Sequence, residues 1–431
     1  MGHYTAISKN FFERNRSKLR SKIRPGSVVV LNANDQATRN GDQYFPYRQN
    51  SDLFYLTGIE QEKTVLTLCP GHPDPRMQEV LFIIHPSPEM ETWEGKKLSK
   101  EEASELSGIR TILWLDDFEK TFRNQVLASR IIYMNAFEYV KFTPEVASRD
   151  ERFISWVKGQ YPLHRYERLA PLLAALRVVK EPEELKLLGK AVDMTSGALL
   201  RVLRMIRPGL YEYQIEAEIT HEFIWNGGDH AYRPIIASGL NACSLHYTAN
   251  HGVCRDGDLV LMDFGAEYTN YGADCTRTVP VNGKFSHHQR ELYESVLRIF
   301  RKAIDLAVPG KSLKTLNHEV HELAEKEHVD LGLYTMKQLK NQDSQNPLRS
   351  RYLPHGITHF IGLDVHDAGS QYLPLQPGMV ITIEPGIYLA REGIGIRIED
   401  DVLITENGSV SLMKKIPVEI EEIEKIMHRK K

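Results

Sequence analysis

Short apolar runs alternate with amphipathic stretches through the first ~160 residues, the pattern of an α/β domain. SVVVLNAN, KTVLTLCPG, EVLFIIHP and RTILWLDD read as strands, and SKEEASELSG and DFEKTFRNQVLAS as helices. A connector near 162–182 then gives way to a long amphipathic helix. Pro182 suits its first turn, Glu183 and Glu184 suit its positive end, and Pro208–Gly209 stops it. We therefore divide the chain into domains 1–170 and 171–431.

The second domain carries an internal repeat. IRPGLYEYQIEAE (206–218) and AVPGKSLKTLNHE (307–319) each place a helix start after Pro-Gly. GDLVLMD (257–263) and GMVITIE (378–384) each run from glycine through an apolar strand to a carboxylate, and a return strand follows with another carboxylate, Asp274 or Glu399. Two related halves are expected, each a helix pair plus a hairpin, facing each other across a pseudo-twofold axis.

Composition narrows the function. At 431 residues, two domains are the sensible expectation. A formal charge of −3 gives no general attraction to nucleic acid or anionic membrane. No run approaches the ~18 apolar residues that span a bilayer. The basic N-terminus lacks the apolar segment of a secretory signal. Cys69, Cys243, Cys254 and Cys275 form no CxxC pair and read as free thiols of a cytoplasmic protein. The first domain shows neither a dinucleotide fingerprint nor a P-loop.

The chemistry is expected from Asp263, Asp274, His359, Glu384 and Glu399, in the strand-like segments LVLMDFG, GADCTRTV, THFIG, VITIEPG and GIRIEDDVLI. A lone aspartate at a strand end is usually a cap or turn residue. Five candidates ending or crossing apolar strands are hard to explain as five separate caps. If Asp263 lies directly across from Asp274, the turn centres on Glu267 to Asn270 and the carboxylates stand roughly 5 Å apart at Cβ. Like charges so placed repel, and a metal between them resolves the conflict. Four carboxylates and one imidazole suit a pair of hard divalent ions better than one structural zinc. His355 and His366 crowd around His359, and His246 lies in another strand-like context, NACSLHYTAN.

These segments resemble the aminopeptidase P/prolidase group of pita-bread metallopeptidases, and within it the Xaa-Pro aminopeptidase branch. LMDFGAEYTNYGADCTRTVPV, LPHGITHFIGLDVHDAG, ITIEPGIY, GIGIRIEDDVLIT, SLHYTAN and the N-terminal YFPYRQNSDLFYLTG carry the likeness, which runs from about residue 40 to about residue 410. It implies a creatinase-type α/β domain followed by a pita-bread catalytic domain. It implies two divalent ions, manganese first, with cobalt or zinc admitted. Asp263 would bind one ion, Asp274 and Glu399 bridge both, and His359 and Glu384 complete the second. Two ions about 3.5 Å apart can share and activate a water.

The expected substrates are peptides with proline second. The amide before proline has no proton on its nitrogen and leaves badly unless protonated. His355 and Glu384 are the candidates for carrying that proton, while His246 and His366 hold substrate and intermediate. Tyr388 and Arg397 are placed around the proline pocket, with ordinary packing and a structural ion pair as their alternatives. The family likeness also suggests a homodimer or homotetramer, with the first domain covering the cleft and supporting assembly. Asp52 reads as a cap or turn residue and Trp93 as a buried structural tryptophan. Prolidase and a catalytically silent pita-bread binding module are the competing readings.

Overall fold

The computed structural model describes residues 7–139 and 145–428. The chain divides into two compact units, one running to Arg177 and the other starting at Val178.

The first unit is built on a six-stranded mixed sheet. Its spatial order is Thr111–Trp114, Glu79–Ile83, Val65–Leu68, Ser27–Asn32, Ile131–Met134 and Arg165–Arg168. The central strands SVVVLN and VLTL are buried at every position, which is why they read as unbroken apolar runs rather than alternating ones. Arg165–Arg168, with the sequence RYER, is an edge strand without apolar periodicity, so pattern reading passes over it. The expected helices form at Lys100–Ser107, closed by a Ser99–Glu102 capping box, and at Phe118–Leu127.

Two expectations in this unit fail. Trp93 is 83% exposed, because the helix Pro88–Glu94 is a short, acidic segment with no buried face to receive it. Asp52 is not the cap. Asn50 caps the helix Ser51–Thr57, and Asp52 instead pairs with Arg177 (2.7 Å) and accepts from the Asn135 amide (2.8 Å).

In the second unit the helix Pro182–Met205 begins on proline and buries Leu188, Ala191, Leu199, Val202 and Leu203. The repeat is visible in the backbone. Gly209 (φ +89°) precedes the helix Glu212–Trp225, and Gly310 (φ +86°) precedes Leu313–Asp330. Gly257 (φ +86°) and Gly378 (φ +90°) lead into the strands Leu259–Phe264 and Val380–Ile383. The shared left-handed conformation explains why glycine stands at all four points.

Each of these strands pairs with a return strand, Cys275–Pro280 or Asp400–Thr405, after an inner hairpin. The halves meet where Thr276 forms an isolated bridge with Glu399. Strand Ile235–Ser238 flanks the first pair and Gly408–Ser411 the second. The four cysteines are free thiols. Among the described residues, no helix is long and apolar enough to cross a membrane.

Candidate metal centre

Asp263 lies near the end of Leu259–Phe264 and Asp274 just before Cys275–Pro280. They are not directly opposed. Asp263 pairs with Thr276, two residues beyond the expected partner. The reason is the turn: Tyr268 pairs with Tyr271, and Thr269 (φ 51°) and Asn270 (φ 64°) make a two-residue left-handed link. A shift of two residues preserves the face, so both carboxylates still point to one side. Asp274 reaches its place because residue 265 is glycine; a Cβ there would lie 1.6 Å from the Ala273 carbonyl oxygen.

The other candidates arrive from the second half. Glu384 follows Val380–Ile383, and Glu399 sits between the strands Ile394–Arg397 and Asp400–Thr405. THFIG is not a strand but a segment tied beside Val380–Ile383 by a single bridge, Phe360 to Ile381, and by reciprocal bonds between His359 and Thr382. The Nδ1 of His359 faces the Phe360 carbonyl at 3.0 Å, which turns Nε2 toward Asp274 (3.5 Å) and Glu384 (3.7 Å). Ligand atoms of Asp274, His359 and Glu399 all lie within 4.8 Å of one another.

The set suits divalent cations. Asp263, Asp274, Glu384, Glu399 and Asp401 bring five carboxylates together, while Arg397 and His359 are the cationic groups among them. Asp401 is 0% exposed; its Oδ2 accepts from the Asp274 backbone N–H, and its Oδ1 has no hydrogen-bond partner. Burial and mutual repulsion hold the Glu399 and Asp401 carboxyls well above the usual range, and burial raises Asp263 despite Arg397. Glu384 is pushed up to about 7 by burial, partly offset by His359. Burial works against charge on His359, yet contact with Asp274 and the charge of Glu384 push it up to about 9. Hard cations would satisfy this excess of anionic oxygen.

The model of metallopeptidase family M24 matches residues 186–406, which hold all five candidate ligands. This chain belongs to family M24. Its first unit matches the aminopeptidase P N-terminal domain over residues 12–133. The M24 chain is 36% identical over 438 residues to a Xaa-Pro aminopeptidase of Escherichia coli, covering 98% of each chain. It is 35% identical over 442 residues to a Xaa-Pro aminopeptidase of Haemophilus influenzae, covering 99% of each. Zinc-substituted E. coli aminopeptidase P in complex with product superposes with a TM-score of 0.89 at 34% identity, over 99% of this chain and 100% of that one.

Around the carboxylate cluster of this M24 chain, Arg397 and Tyr388 link Asp263 to His355. Arg397 donates to Asp263 Oδ2 (2.5 Å), to the Tyr388 hydroxyl (2.9 Å) and to the Thr276 hydroxyl (3.0 Å). The Tyr388 hydroxyl lies 2.8 Å from His355 Nε2. Arg397 is thus an ion-pair partner of Asp263, and its Nε is 4.0 Å from Glu399. His355 Nδ1 faces the Gly356 carbonyl (2.7 Å) and lies 3.5 Å from Glu384. Burial and Arg397 push His355 down to about 3, which leaves it neutral. The His366 ring meets that of His359 edge to face at 4.4 Å. His246 is exposed and lies in a turn rather than a strand. Backbone bonds from Ser244 N to Asn241 O (3.0 Å) and from Tyr247 N to Ser244 O (3.1 Å) curl that segment.

Three contributors escaped sequence reading. The Tyr232 hydroxyl lies 2.5 Å from Asp263 and 2.6 Å from Asp274. Thr276 donates to Glu399 (2.6 Å). Asp401 follows Glu399 at the two-residue spacing of one strand face and was open to detection by that rule. Tyr232 lies 31 residues before Asp263, in a segment without periodic signal.

Proposed function

We propose that this protein is a dinuclear-metal aminopeptidase that releases the N-terminal residue from peptides with proline in the second position. The ligands are Asp263, Asp274, His359, Glu384 and Glu399, and the metal is manganese by preference, with cobalt or zinc able to substitute. The observation that carries this reading is the carboxylate excess around Asp274, His359 and Glu399, with the Asp263–Arg397–Tyr388–His355 chain at its side. Bound divalent cations supply Lewis acidity toward a water and toward the scissile carbonyl.

The chain's own groups handle the proton. Glu384, between His359 (3.7 Å) and His355 (3.5 Å), is placed to take the proton released by the attacking water. His355, 3.5 Å from Glu384, is the second group placed at the path of the proton to the proline nitrogen, which must be protonated to leave. Tyr388 and Arg397 hold the His355 ring in place. His246 and His366 offer donors to the substrate carbonyl. The chemistry belongs to the unit that starts at Val178. The first unit, without a motif of its own, serves assembly into a homodimer or homotetramer. With a charge of −3 and free thiols, a cytoplasmic enzyme without nucleic-acid partners fits.

The test is hydrolysis of a short peptide series that varies the second residue and the length. We expect chelation to stop turnover, Mn²⁺ or Co²⁺ to restore it, and proline in second place to be required. Cleavage of Xaa-Pro dipeptides alone, with no tripeptide turnover, would instead identify a prolidase. Turnover indifferent to chelation would remove the metal from the reaction.

A further inference from the structure

The loop that carries His246 is tied down by one buried carboxylate. Glu212 opens the helix Glu212–Trp225 and is 0% exposed. Its Oε1 accepts from the Ser238 backbone N–H (2.7 Å), the Ser238 hydroxyl (2.8 Å) and the Asn241 amide (3.0 Å). Its Oε2 accepts from the Tyr247 hydroxyl (2.8 Å) and the Gly252 backbone N–H (2.7 Å). Five donors saturate the roughly four lone-pair directions of a carboxylate. Bonds to a carboxylate are stronger than bonds to a neutral acceptor.

The donors bracket His246. Ser238 and Asn241 precede it; Tyr247 and Gly252 follow it. The Asn241 amide also reaches the Tyr247 hydroxyl (3.1 Å), closing a ring around the base of the loop. Residue 252 is glycine because a Cβ there would lie 2.6 Å from Asn241 Nδ2 and 2.8 Å from Glu212 Oε1. One helical turn on, Glu216 receives the Asn250 amide (2.8 Å), so a second carboxylate on the same helix face holds the end of the loop that follows His246. An apolar side chain at 212 would cover the strand at a lower desolvation cost; what the carboxylate adds is direction.

We propose that Glu212 is a positioning residue for the peptidase reaction: acting through Asn241 and Tyr247, it sets where His246 meets the substrate. This rests on the reading of His246 as a substrate-holding residue. Glu212→Gln keeps the shape but replaces one acceptor oxygen with an NH₂ group. That group then faces a backbone N–H, of Gly252 or of Ser238, and neither can accept, so the loop must shift.

The experiment is a double-mutant cycle on the metal-loaded, full-length enzyme: wild type, Glu212→Gln, His246→Ala and the pair, assayed on an Xaa-Pro tripeptide. Glu212→Gln should lower kcat/KM roughly tenfold, the coupling expected of one hydrogen-bond network. It should do so with unchanged metal content and with the same split between KM and kcat as His246→Ala. In the His246→Ala background it should cost nothing further. Equal losses in both backgrounds would mean general destabilisation and overturn the proposal. If Glu212→Gln does not yield folded enzyme, Tyr247→Phe removes one of the five donors and faces the same criterion. Wild-type constants for His246→Ala would be a different failure: they would remove the reading of His246 itself, and the proposal with it.

Discussion

Tyr232 carries one hydroxyl proton and faces two carboxylates at hydrogen-bond distance. One proton can be donated once, so the second contact requires a proton on Asp263 or Asp274, or a cation in its place. The raised Asp263 carboxyl fits the first state and a loaded centre the second. The same logic separates ligands from proton carriers. Asp274→Ala removes a proposed ligand from the cluster around His359 and Glu399 and should abolish turnover together with metal content. His355→Ala leaves the ligand set intact. We expect it to retain metal while kcat falls about 10²–10⁴-fold, the usual contribution of a positioned acid or base. Metal analysis beside steady-state kinetics checks both, and loss of metal from His355→Ala would make that residue a ligand. These residues were readable from the sequence because five of them, four carboxylates and a histidine, end or cross apolar strands as a set, which separate caps or turns do not explain. Tyr232 was not, since nothing local marks a tyrosine that docks on a strand formed 31 positions later.

Helix Pro182–Met205 shows how an element's own start can sense pH. Glu184 accepts from the Glu181 backbone N–H (2.8 Å) and the Tyr271 hydroxyl (3.0 Å), anchoring the first turn. It is buried, and burial pushes its carboxyl up to about 7, although Lys180 draws it down; Asp367, paired with Lys180, adds to the rise. The folded chain therefore holds a proton that the unfolded chain releases near 4.5. The stability this group contributes is complete below about 4.5 and is lost as pH rises through about 7. Glu184→Gln should flatten that slope. Urea-unfolding midpoints at pH 6 and pH 8 should fall in the wild type and differ less in the variant; an equal fall in both would clear Glu184 of the effect. The helix itself was predictable from Pro182 and the acidic first turn. The pairing of Glu184 with Tyr271 was not, because it joins the helix to a hairpin 87 residues away.

The two halves of the catalytic unit each supply carboxylates to a centre that neither completes alone. Asp263 and Asp274 come from the first hairpin, while His359, Glu384 and Glu399 come from the second half. Metal should therefore couple the halves and stabilise the folded unit. At a hundredfold excess over Kd, binding to the native state alone adds about 2.7 kcal/mol. We expect chelation to lower the Tm of this unit and Mn²⁺ to restore it, and Asp274→Ala to show little response to either in differential scanning calorimetry. An Asp274→Ala protein that gains as much Tm from Mn²⁺ as the wild type would place the metal elsewhere.

Most of the buried strands and capped helices, the duplicated Pro-Gly and Gly-strand-carboxylate units, and the five candidate ligands were present in the linear chain; the edge strand Arg165–Arg168 was not. Each depends on local spacing: a period of two for strands, a period near 3.6 for helices, and glycine where φ must be positive. Packing settled the rest. The left-handed Thr269–Asn270 turn chose Thr276 over Asp274 as the partner of Asp263, although a two-residue slip leaves the face unchanged. Burial set the proton affinities of Glu384 and His355. Folding also delivered Tyr232, Asp401 and the Glu212 anchor. Their contacts, apart from Glu212 with its neighbouring loop, join segments that only the closed core brings within 3.5 Å, and no periodicity encodes which distant side chain will fill a given buried oxygen.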